Sequence, residues 1–257
     1  MTGFPGLIAA LGVRRWILLK RYPVDTVGQL VTVVLLFVVL FLGGQSIVGP
    51  DLGGTLGAVV VGYFLWTMAV GAYSSLAQTI FVETQWGTFE QLYVAPRRFE
   101  VIAAAMAVVF LLETLLWGSL VLGFMLLVTG ASLHVDPVTV ALIGLLSLCS
   151  AIGVGFVMGG LALLYKRIAS VLGLVQFALV GFIAAPVATY PSLHVAPLST
   201  GSYLLRLSMD SGVLLTELPH DLLALLVVKA VVYVGGGLLG LRALVNVARR
   251  RGVVGHY

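Results

Sequence analysis

The sequence predicts an all-α membrane protein that crosses the bilayer six times. Of its 257 residues, 60% are hydrophobic and only 9% are charged, against about 25% charged in ordinary soluble domains. The mean hydropathy is +1.13, and the apolar residues cluster into runs long enough to cross a hydrocarbon core of about 30 Å. Such runs indicate helices, because an unpaired backbone amide is costly in lipid.

Six stretches carry few charges or none, and each has the roughly 20 residues that a spanning helix needs. We assign them to a single transmembrane domain that covers the whole chain, with the six-helix part at residues 24–241. A helix at the membrane surface precedes this part in residues 1–23, and a basic tail follows it in residues 242–257. The predicted spans are residues 24–42, 57–81, 101–128, 138–165, 168–188 and 222–241.

Basic residues predict the orientation of these spans, since Lys and Arg collect in cytoplasmic loops. Twelve of the fourteen lie before the first span, after the second, after the fourth or after the last. On the other side the loops hold Arg206 and five acidic residues, and Lys229 lies inside the sixth span. We therefore expect a multi-pass protein of the cell membrane with both termini in the cytoplasm. The net charge of +4 reflects these clusters and does not indicate nucleic-acid binding.

The N-terminal segment, residues 6–22, is too short to be a span. Its charges follow its first apolar residues, so we expect no cleaved signal peptide. The pattern predicts an amphipathic helix that lies in the membrane interface, and a basic anchor is favoured over a partner-specific role. Pro23 ends this helix. The alternating residues are Leu7, Leu11, Leu18 and Tyr22 on the apolar side and Arg14, Arg15, Lys20 and Arg21 on the basic side.

The connection between the fifth and sixth spans, residues 186–221, contains four prolines and short apolar pieces at 203–207 and 213–215. Non-helical backbone at membrane depth survives only where protein or water shields it. These pieces are therefore candidates for short re-entrant helices. A plain surface loop remains an alternative.

The loop after the second span has a distinctive order of residues, which predicts a short cytoplasmic amphipathic helix. Thr88 is a suitable N-cap, and Pro96 stops the helix before the third span. An ordinary interfacial connector is the alternative. The loop reads Glu83, Thr84, Gln85, Trp86, Gly87, Thr88, Phe89, Glu90, Gln91, Leu92, Tyr93, Val94, Ala95 and Pro96.

This loop resembles that of the type-2 (ABC-2) permeases of ATP-binding cassette transporters. In that family an acidic residue is followed by Gly-Thr-Leu-Glu-Gln-Leu and then by proline. Phe89 replaces the usual leucine, and Gln85 and Trp86 stand where the family often has charged residues. A looser resemblance follows the fifth span, where residues 197–206 run from a proline to an arginine. The matching residues of the first motif are Glu83, Gly87, Thr88, Glu90, Gln91, Leu92 and Pro96.

The resemblance implies an exporter in which two permease copies, or two related subunits, bind two separate ATPase subunits. The short loop helix would contact the ATPase, and ATP and Mg would bind to that partner. The chain itself has no Gly-rich phosphate loop ending in Gly-Lys-Ser/Thr, so we expect no enzyme activity and no cofactor on this chain. The implied ATPase-coupling residues are Glu83, Trp86, Gly87, Thr88, Phe89, Glu90, Gln91, Leu92 and Tyr93.

Two charged residues fall well inside predicted spans, away from the span ends: Glu113 in the third and Lys229 in the sixth. A charge at the bilayer centre costs at least about 2.5 kcal/mol, so each residue needs a partner. We hypothesise that the two pair with each other. A structural role between helices and a role in the transport pathway are about equally supported.

Small residues and potential ligands complete the pattern. Gly155 and Gly159, and likewise Gly236 and Gly240, are spaced to let helices approach closely. The single cysteine, Cys149, allows no disulfide within the chain. The four histidines have no metal-ligand spacing, so no metal site is expected.

Three other functions stay open. Glu113 and Lys229 could form an ion relay in a secondary transporter, although the halves show no inverted repeat. An intramembrane enzyme or a scaffold is less well supported, because only these two charges lie at spanning depth. The substrate of a transporter, whether drug, lipid, polysaccharide, ion or peptide, is not indicated by the sequence.

Overall fold

The computed structural model describes residues 3–48, 56–85, 98–130, 133–165 and 168–250, and throughout these ranges the regular structure is helical. The all-α prediction is therefore confirmed for the described chain. The helices are α1 (Phe4–Arg21), α2 (Pro23–Val48), α3 (Leu56–Gln85), α4 (Phe99–Thr129), α5 (Pro137–Leu164), α6 (Ala169–Ile183), a 3-10 helix (Pro191–Val195), α7 (Ser199–Ser211) and α8 (His220–Arg250).

Five of these helices are long and apolar enough to cross a membrane, namely α2, α3, α4, α5 and α8. The predicted fifth span, 168–188, is shorter than expected, because α6 ends at Ile183. Its 15 residues cover only about 22 Å. Pro186 gives the physical reason, since proline disfavours helical backbone at the preceding residue and cannot continue the hydrogen-bond ladder.

Local signals set several helix ends. Pro23 occupies the first position of α2, directly after Tyr22 ends α1. The Asp136 carboxylate caps α5, because it accepts hydrogen bonds from the Thr139 amide, at 3.1 Å, and from the Thr139 hydroxyl. These bonds hold the pKa of Asp136 below its usual range. Gly130 ends α4 with left-handed backbone at φ 61°, which glycine adopts without strain.

Helix α5 lies at the centre of the bundle and packs most extensively against α8 and α3. Two glycines allow close contact with α3: a Cβ on Gly155 would lie 3.0 Å from the Tyr73 carbonyl oxygen, and one on Gly159 2.5 Å from the Ile80 side chain. The predicted role of these two glycines is confirmed. In α8, however, Gly236 meets nothing within 4 Å, and Gly237 makes the approach to Gly153 instead.

The long helices bring like charges to the two ends of the bundle. We call the basic end the one where α3 finishes and α4 begins, with Arg98, Arg242 and Arg250 nearby. The acidic end is the opposite one, with Asp136, Asp210, Glu217 and Asp221. Two contacts define the acidic end: the His134 amide donates to the Met209 carbonyl at 2.9 Å, and Asp210 lies against Gly57 at the start of α3.

Residues 191–211, which we call the re-entrant segment, fold back into the bundle from the acidic end. Helix α7 packs against α3, α5, α6 and α8, and Leu204 and Leu205 are fully buried. Of the two apolar pieces predicted as re-entrant, 203–207 lies in α7, whereas 213–215 is not helical. The second prediction was wrong, because Gly212 ends α7 in the left-handed conformation at φ 69°.

Helix α2 is the most peripheral of the long helices. It contacts the bundle through Phe37 and Phe41, which are buried, and through Val33, whose carbonyl accepts a hydrogen bond from the Tyr63 hydroxyl at 2.6 Å. Its other side is exposed and apolar, as at Val24 and Val31. An exposed face of this composition is stable only against lipid or another apolar surface.

The re-entrant fold changes which residues an external probe can reach. The sequence predicts an external loop at residues 186–221, in which a cysteine at Ser199 would be labelled from outside. This prediction is wrong for Ser199, because the residue is only 1% exposed in the structure. Thr189 is exposed near the acidic end, and Asn246 is exposed near the basic end.

We expect impermeant maleimide added to intact cells to label Thr189→Cys in a Cys149→Ala background. Asn246→Cys should react only after the membrane is opened, because it lies at the opposite end. Ser199→Cys should react slowly in both conditions, because it is buried. External labelling of Asn246→Cys together with protection of Thr189→Cys would reverse the orientation, and rapid labelling of Ser199→Cys would contradict the re-entrant fold.

Candidate functional site

The basic end joins α1 to the two helices that flank the motif-bearing loop. Helix α3 ends at Gln85 and α4 begins at Phe99, so the loop leaves and re-enters the bundle at this end. Glu83 is one of the predicted coupling residues that the structure describes, and it is only 7% exposed. The other predicted coupling residues lie outside the described ranges: Trp86, Gly87, Thr88, Phe89, Glu90, Gln91, Leu92 and Tyr93.

Arg14 of α1 forms an ion pair with Glu83, with 2.7 Å between Nη2 and Oε1. The Glu83 side chain is 10% exposed and that of Arg14 51% exposed. The carboxylate is thus removed from solvent while the guanidinium partly faces out. A buried carboxylate is costly without a nearby cation, so the pair fixes the end of α3 against α1.

The next residue of α1, Arg15, pairs with Glu113 of α4. Its Nε lies 2.7 Å from Oε2 and its Nη2 lies 2.9 Å from Oε1, which is the two-bond geometry of a strong Arg–carboxylate pair. The guanidinium also lies over the Phe110 ring, 5.6 Å from its centroid. Two adjacent arginines of α1 thereby hold the two helices on either side of the loop.

These contacts correct two expectations. Glu113 does not pair with Lys229, because Arg15 occupies its carboxylate. Arg14 and Arg15 do more than form the basic side of an interfacial helix, since both are paired with carboxylates of the bundle although Arg14 stays half exposed. The physical reason is the same in both cases: carboxylates within the bundle need a counter-charge, and α1 supplies it across a short distance. A third pair, Arg242 with Glu100 at 3.7 Å, is more exposed and contributes little.

Lys229 of α8 belongs to a separate cluster, in which its side chain contacts the start of the re-entrant segment. It lies nine residues after His220, which corresponds to about 14 Å along α8, and it is 6% exposed. Its ammonium donates to the carbonyl oxygens of His194 and Ala196, each at 2.6 Å. The hydroxyl oxygens of Thr200 and Ser199 lie 3.1 and 3.4 Å away.

Other side chains hold the same stretch of backbone. Tyr233, one turn after Lys229 on α8, donates its hydroxyl to the Val195 carbonyl at 3.0 Å. From α5, the Ser150 hydroxyl accepts the Leu198 amide at 3.1 Å. Leu198 adopts left-handed backbone at φ 65°, which is uncommon for a leucine and costs about 1 kcal/mol or more. The surrounding helices therefore determine the path of the segment.

The far side of α7 is tied to the end of α6. Both Ser202 and Arg206 donate to the Ile183 carbonyl oxygen, at 2.8 and 3.3 Å. These bonds satisfy an acceptor that the last turn of α6 leaves open, and a cation is favourable at that helix end. Arg206, which resembles the arginine at the end of the second family motif, thus connects α7 to α6.

Next to the lysine, His194 is in edge contact with Tyr203, with 5.9 Å between ring centroids. Its Nδ1 lies 3.3 Å from the Thr200 hydroxyl oxygen, so the partly buried imidazole belongs to the same cluster as Lys229. In the described ranges, no group of three His, Cys, Asp or Glu side chains is placed to hold a metal ion.

Sequence reasoning identified Glu113 and Lys229 but missed their partners. The sequence does contain a signal for Arg15: Arg14 and Arg15 form an arginine pair in a largely apolar segment, and Glu113 is a carboxylate inside a span without an obvious partner. The backbone carbonyls around Lys229 gave no signal, since any residue supplies a carbonyl.

The Arg15–Glu113 pair can be tested by charge exchange. We expect Glu113→Gln to lower the free energy of unfolding in mixed micelles by about 2 kcal/mol, toward the low end for a buried pair because Arg15 is one-third exposed. The exchange Arg15→Glu with Glu113→Arg should recover most of that loss. The control exchange Glu113→Lys with Lys229→Glu should recover none; recovery there instead would restore the original pairing hypothesis.

Replacing Lys229 tests whether this lysine holds the re-entrant segment. Lys229→Met should lower the free energy of unfolding by about 3 kcal/mol, because it leaves two carbonyl oxygens without donors inside the bundle. Lys20→Met, at an exposed position, serves as the control and should change it by less than about 0.5 kcal/mol. Equal stability of the Lys229→Met variant and the parent protein would show that the lysine is not needed to hold the segment.

Comparisons of the chain with models of known protein families, with curated proteins and with solved structures give no match. The resemblance to the ABC-2 permeases therefore depends on the two motifs quoted above.

Proposed function

We propose that this chain is the permease subunit of an ATP-binding cassette exporter. The observation that carries the proposal concerns the helices on either side of the motif-bearing loop. Its two flanking helices, α3 and α4, are both ion-paired to α1, through Glu83 and Glu113. A force applied to the loop would therefore be transmitted to α1, α3 and α4 together.

The charge distribution supports this placement. The loop joins α3 and α4 at the basic end, which the positive-inside rule assigns to the cytoplasm. ATP and a soluble ATPase are available on that side. A loop with this motif at the acidic end would face the wrong compartment for such a partner, so the geometry meets a necessary condition of the proposal.

In this proposal, closure of two ATPase subunits on ATP and Mg moves the loop, and the paired helices carry the movement into the membrane domain. Coupling of this kind requires a contiguous, stiff connection with two arrangements. The permease then alternates between inward-facing and outward-facing states. A second copy, or a related subunit, would complete the pathway, and the exposed apolar sides of α2 and α8 provide surfaces for it or for lipid.

A six-span topology belongs to the same proposal. Helix α6 and the re-entrant segment together would take the place of the fifth span. In this arrangement α6 crosses only part of the membrane, and the re-entrant segment enters it from the acidic end. An odd number of crossings would separate the termini, whereas the charges of α1 and of the end of α8 lie at the same, basic end. Six crossings by the chain are therefore the consistent choice.

The rival interpretation, an ion-coupled secondary transporter, loses support from the site geometry. An ion relay needs a titratable group that can exchange its partner within the pathway. Glu113 is held by two bonds from Arg15, and Lys229 is held by carbonyl and hydroxyl oxygens. The two residues share no partner, which favours structural roles for both.

The proposal is tested in the loop itself. Phe89→Ala should weaken binding of the ATPase subunit by roughly thirtyfold, the equivalent of about 2 kcal/mol for an aromatic anchor, and should abolish transport-coupled ATP hydrolysis. Glu90→Gln is the matched control, and it should cost much less because a charge at an interface rim mainly orients the partner. The measurements are co-purification with the ATPase from the same genome and hydrolysis in vesicles.

Membrane insertion and oligomeric state of both variants should equal those of the parent protein. If Phe89→Ala retains full ATPase binding and hydrolysis, the loop is an interfacial connector and the permease assignment loses its main support.

A further inference from the structure

The outward side of α1 is apolar, although this helix contains four of the basic residues. Val13, Trp16 and Ile17 are 59%, 59% and 56% exposed. The opposite side carries Leu7 and Leu11, which pack against the core. Helix α1 thus has protein on one side and an uncovered apolar surface on the other.

The four basic residues divide into two pairs with different surroundings. Arg14 and Arg15 are bound to carboxylates of the bundle. Lys20 and Arg21 lie in the last turn and are exposed. Among the described residues, neither of them forms an ion pair. Their recorded contacts are aromatic: the Lys20 ammonium lies 5.0 Å from the centroid of Trp16, and the Arg21 guanidinium 6.0 Å from that of Tyr22.

This surface continues directly into a membrane-type helix. After Tyr22, Pro23 begins α2, and Val24 and Val27 are 86% and 56% exposed. The apolar side of α1 therefore runs into the side of α2 that faces the bilayer. Exposed aromatic rings beside basic groups mark the depth of lipid headgroups. This continuity favours lipid as the occupant over a soluble protein, which would have to contact the bilayer core at α2.

We propose that Val13, Trp16, Ile17, Lys20 and Arg21 form a binding surface for anionic phospholipid. The apolar side chains contact acyl chains, while the two cations bind the headgroup phosphate, whose negative charge is not offset by a choline cation in an anionic lipid. Each basic residue near a membrane surface contributes roughly a fivefold gain in affinity for anionic lipid. Lys20 and Arg21 together therefore predict that anionic lipid binds at least about tenfold more tightly than zwitterionic lipid. This inference does not depend on the permease assignment.

Quenching of Trp16 fluorescence by brominated lipid measures this preference. The full-length Trp66→Phe/Trp86→Phe/Trp117→Phe variant, with Trp16 as its remaining tryptophan, is placed in phosphatidylcholine vesicles that contain brominated phosphatidylglycerol or brominated phosphatidylcholine. We expect phosphatidylglycerol to quench at far lower mole fraction. Lys20→Gln/Arg21→Gln should reduce the preference to nearly one, whereas the control Arg242→Gln/Arg250→Gln, which removes two cations from the same end but not from α1, should keep it.

Two results would overturn the proposal. Equal quenching by both lipids would mean that α1 contacts acyl chains without selecting a headgroup, and no quenching by either would mean that protein covers the surface. If the tryptophan replacements prevent folding, native mass spectrometry of the parent protein and the Lys20→Gln/Arg21→Gln variant gives the same answer. Retention of phosphatidylglycerol in equal amounts by the two proteins would contradict the assignment. Neither measurement involves an ATPase, so failure here would leave the permease proposal standing.

Discussion

Polar groups buried in this apolar bundle are stable mainly where the protein supplies their partners, and the arrangement around Lys229 shows how strongly that constraint acts. The backbone at residues 194–198 is not α-helical, yet it lies beside the interior of α5 and α8. Its carbonyl groups are satisfied by Lys229 and Tyr233, and the Leu198 amide is satisfied by Ser150. Without these donors and acceptors, irregular backbone could not be stable at that depth.

The same constraint organises the basic end. Glu83 and Glu113 are carboxylates on apolar helices, and each is neutralised by an adjacent arginine of α1. The N-terminal helix is therefore a structural part of the bundle as well as a surface element. Its remaining cations, Lys20 and Arg21, and its apolar side are exposed. The lipid-binding surface and the permease function that we propose therefore both involve this one short helix.

Hydropathy predicted the long helices well, because a run of about 20 apolar residues has few alternatives to a spanning helix. It overestimated α6, where Pro186 shortens the helix although the composition stays apolar. Spacing identified Gly155 and Gly159 correctly but chose Gly236 instead of Gly237, since one residue rotates the contact by about 100° around the helix.

The pairing of charges was not predictable, because Arg15 and Glu113 are separated by 98 positions and meet only through the arrangement of three helices. The predicted coupling residues from Trp86 to Tyr93 lie outside the described ranges, so the structure gives only the ends of the two helices that flank them.

Hydrogen–deuterium exchange of the re-entrant segment in lipid vesicles tests most directly whether this segment is packed inside the bundle. We predict that the amides of residues 202–205 exchange at least roughly a hundredfold more slowly than those of residues 188–190, because they lie in α7 and are shielded by the helices packed around it. Residues 188–190 are exposed, and the amides of Thr189 and Tyr190 are bonded only within a single turn. Lys229→Met should bring the two rates closer together. Exchange of residues 202–205 as fast as that of residues 188–190 in the parent protein would contradict the packing of α7 inside the bundle and would place it in a surface loop.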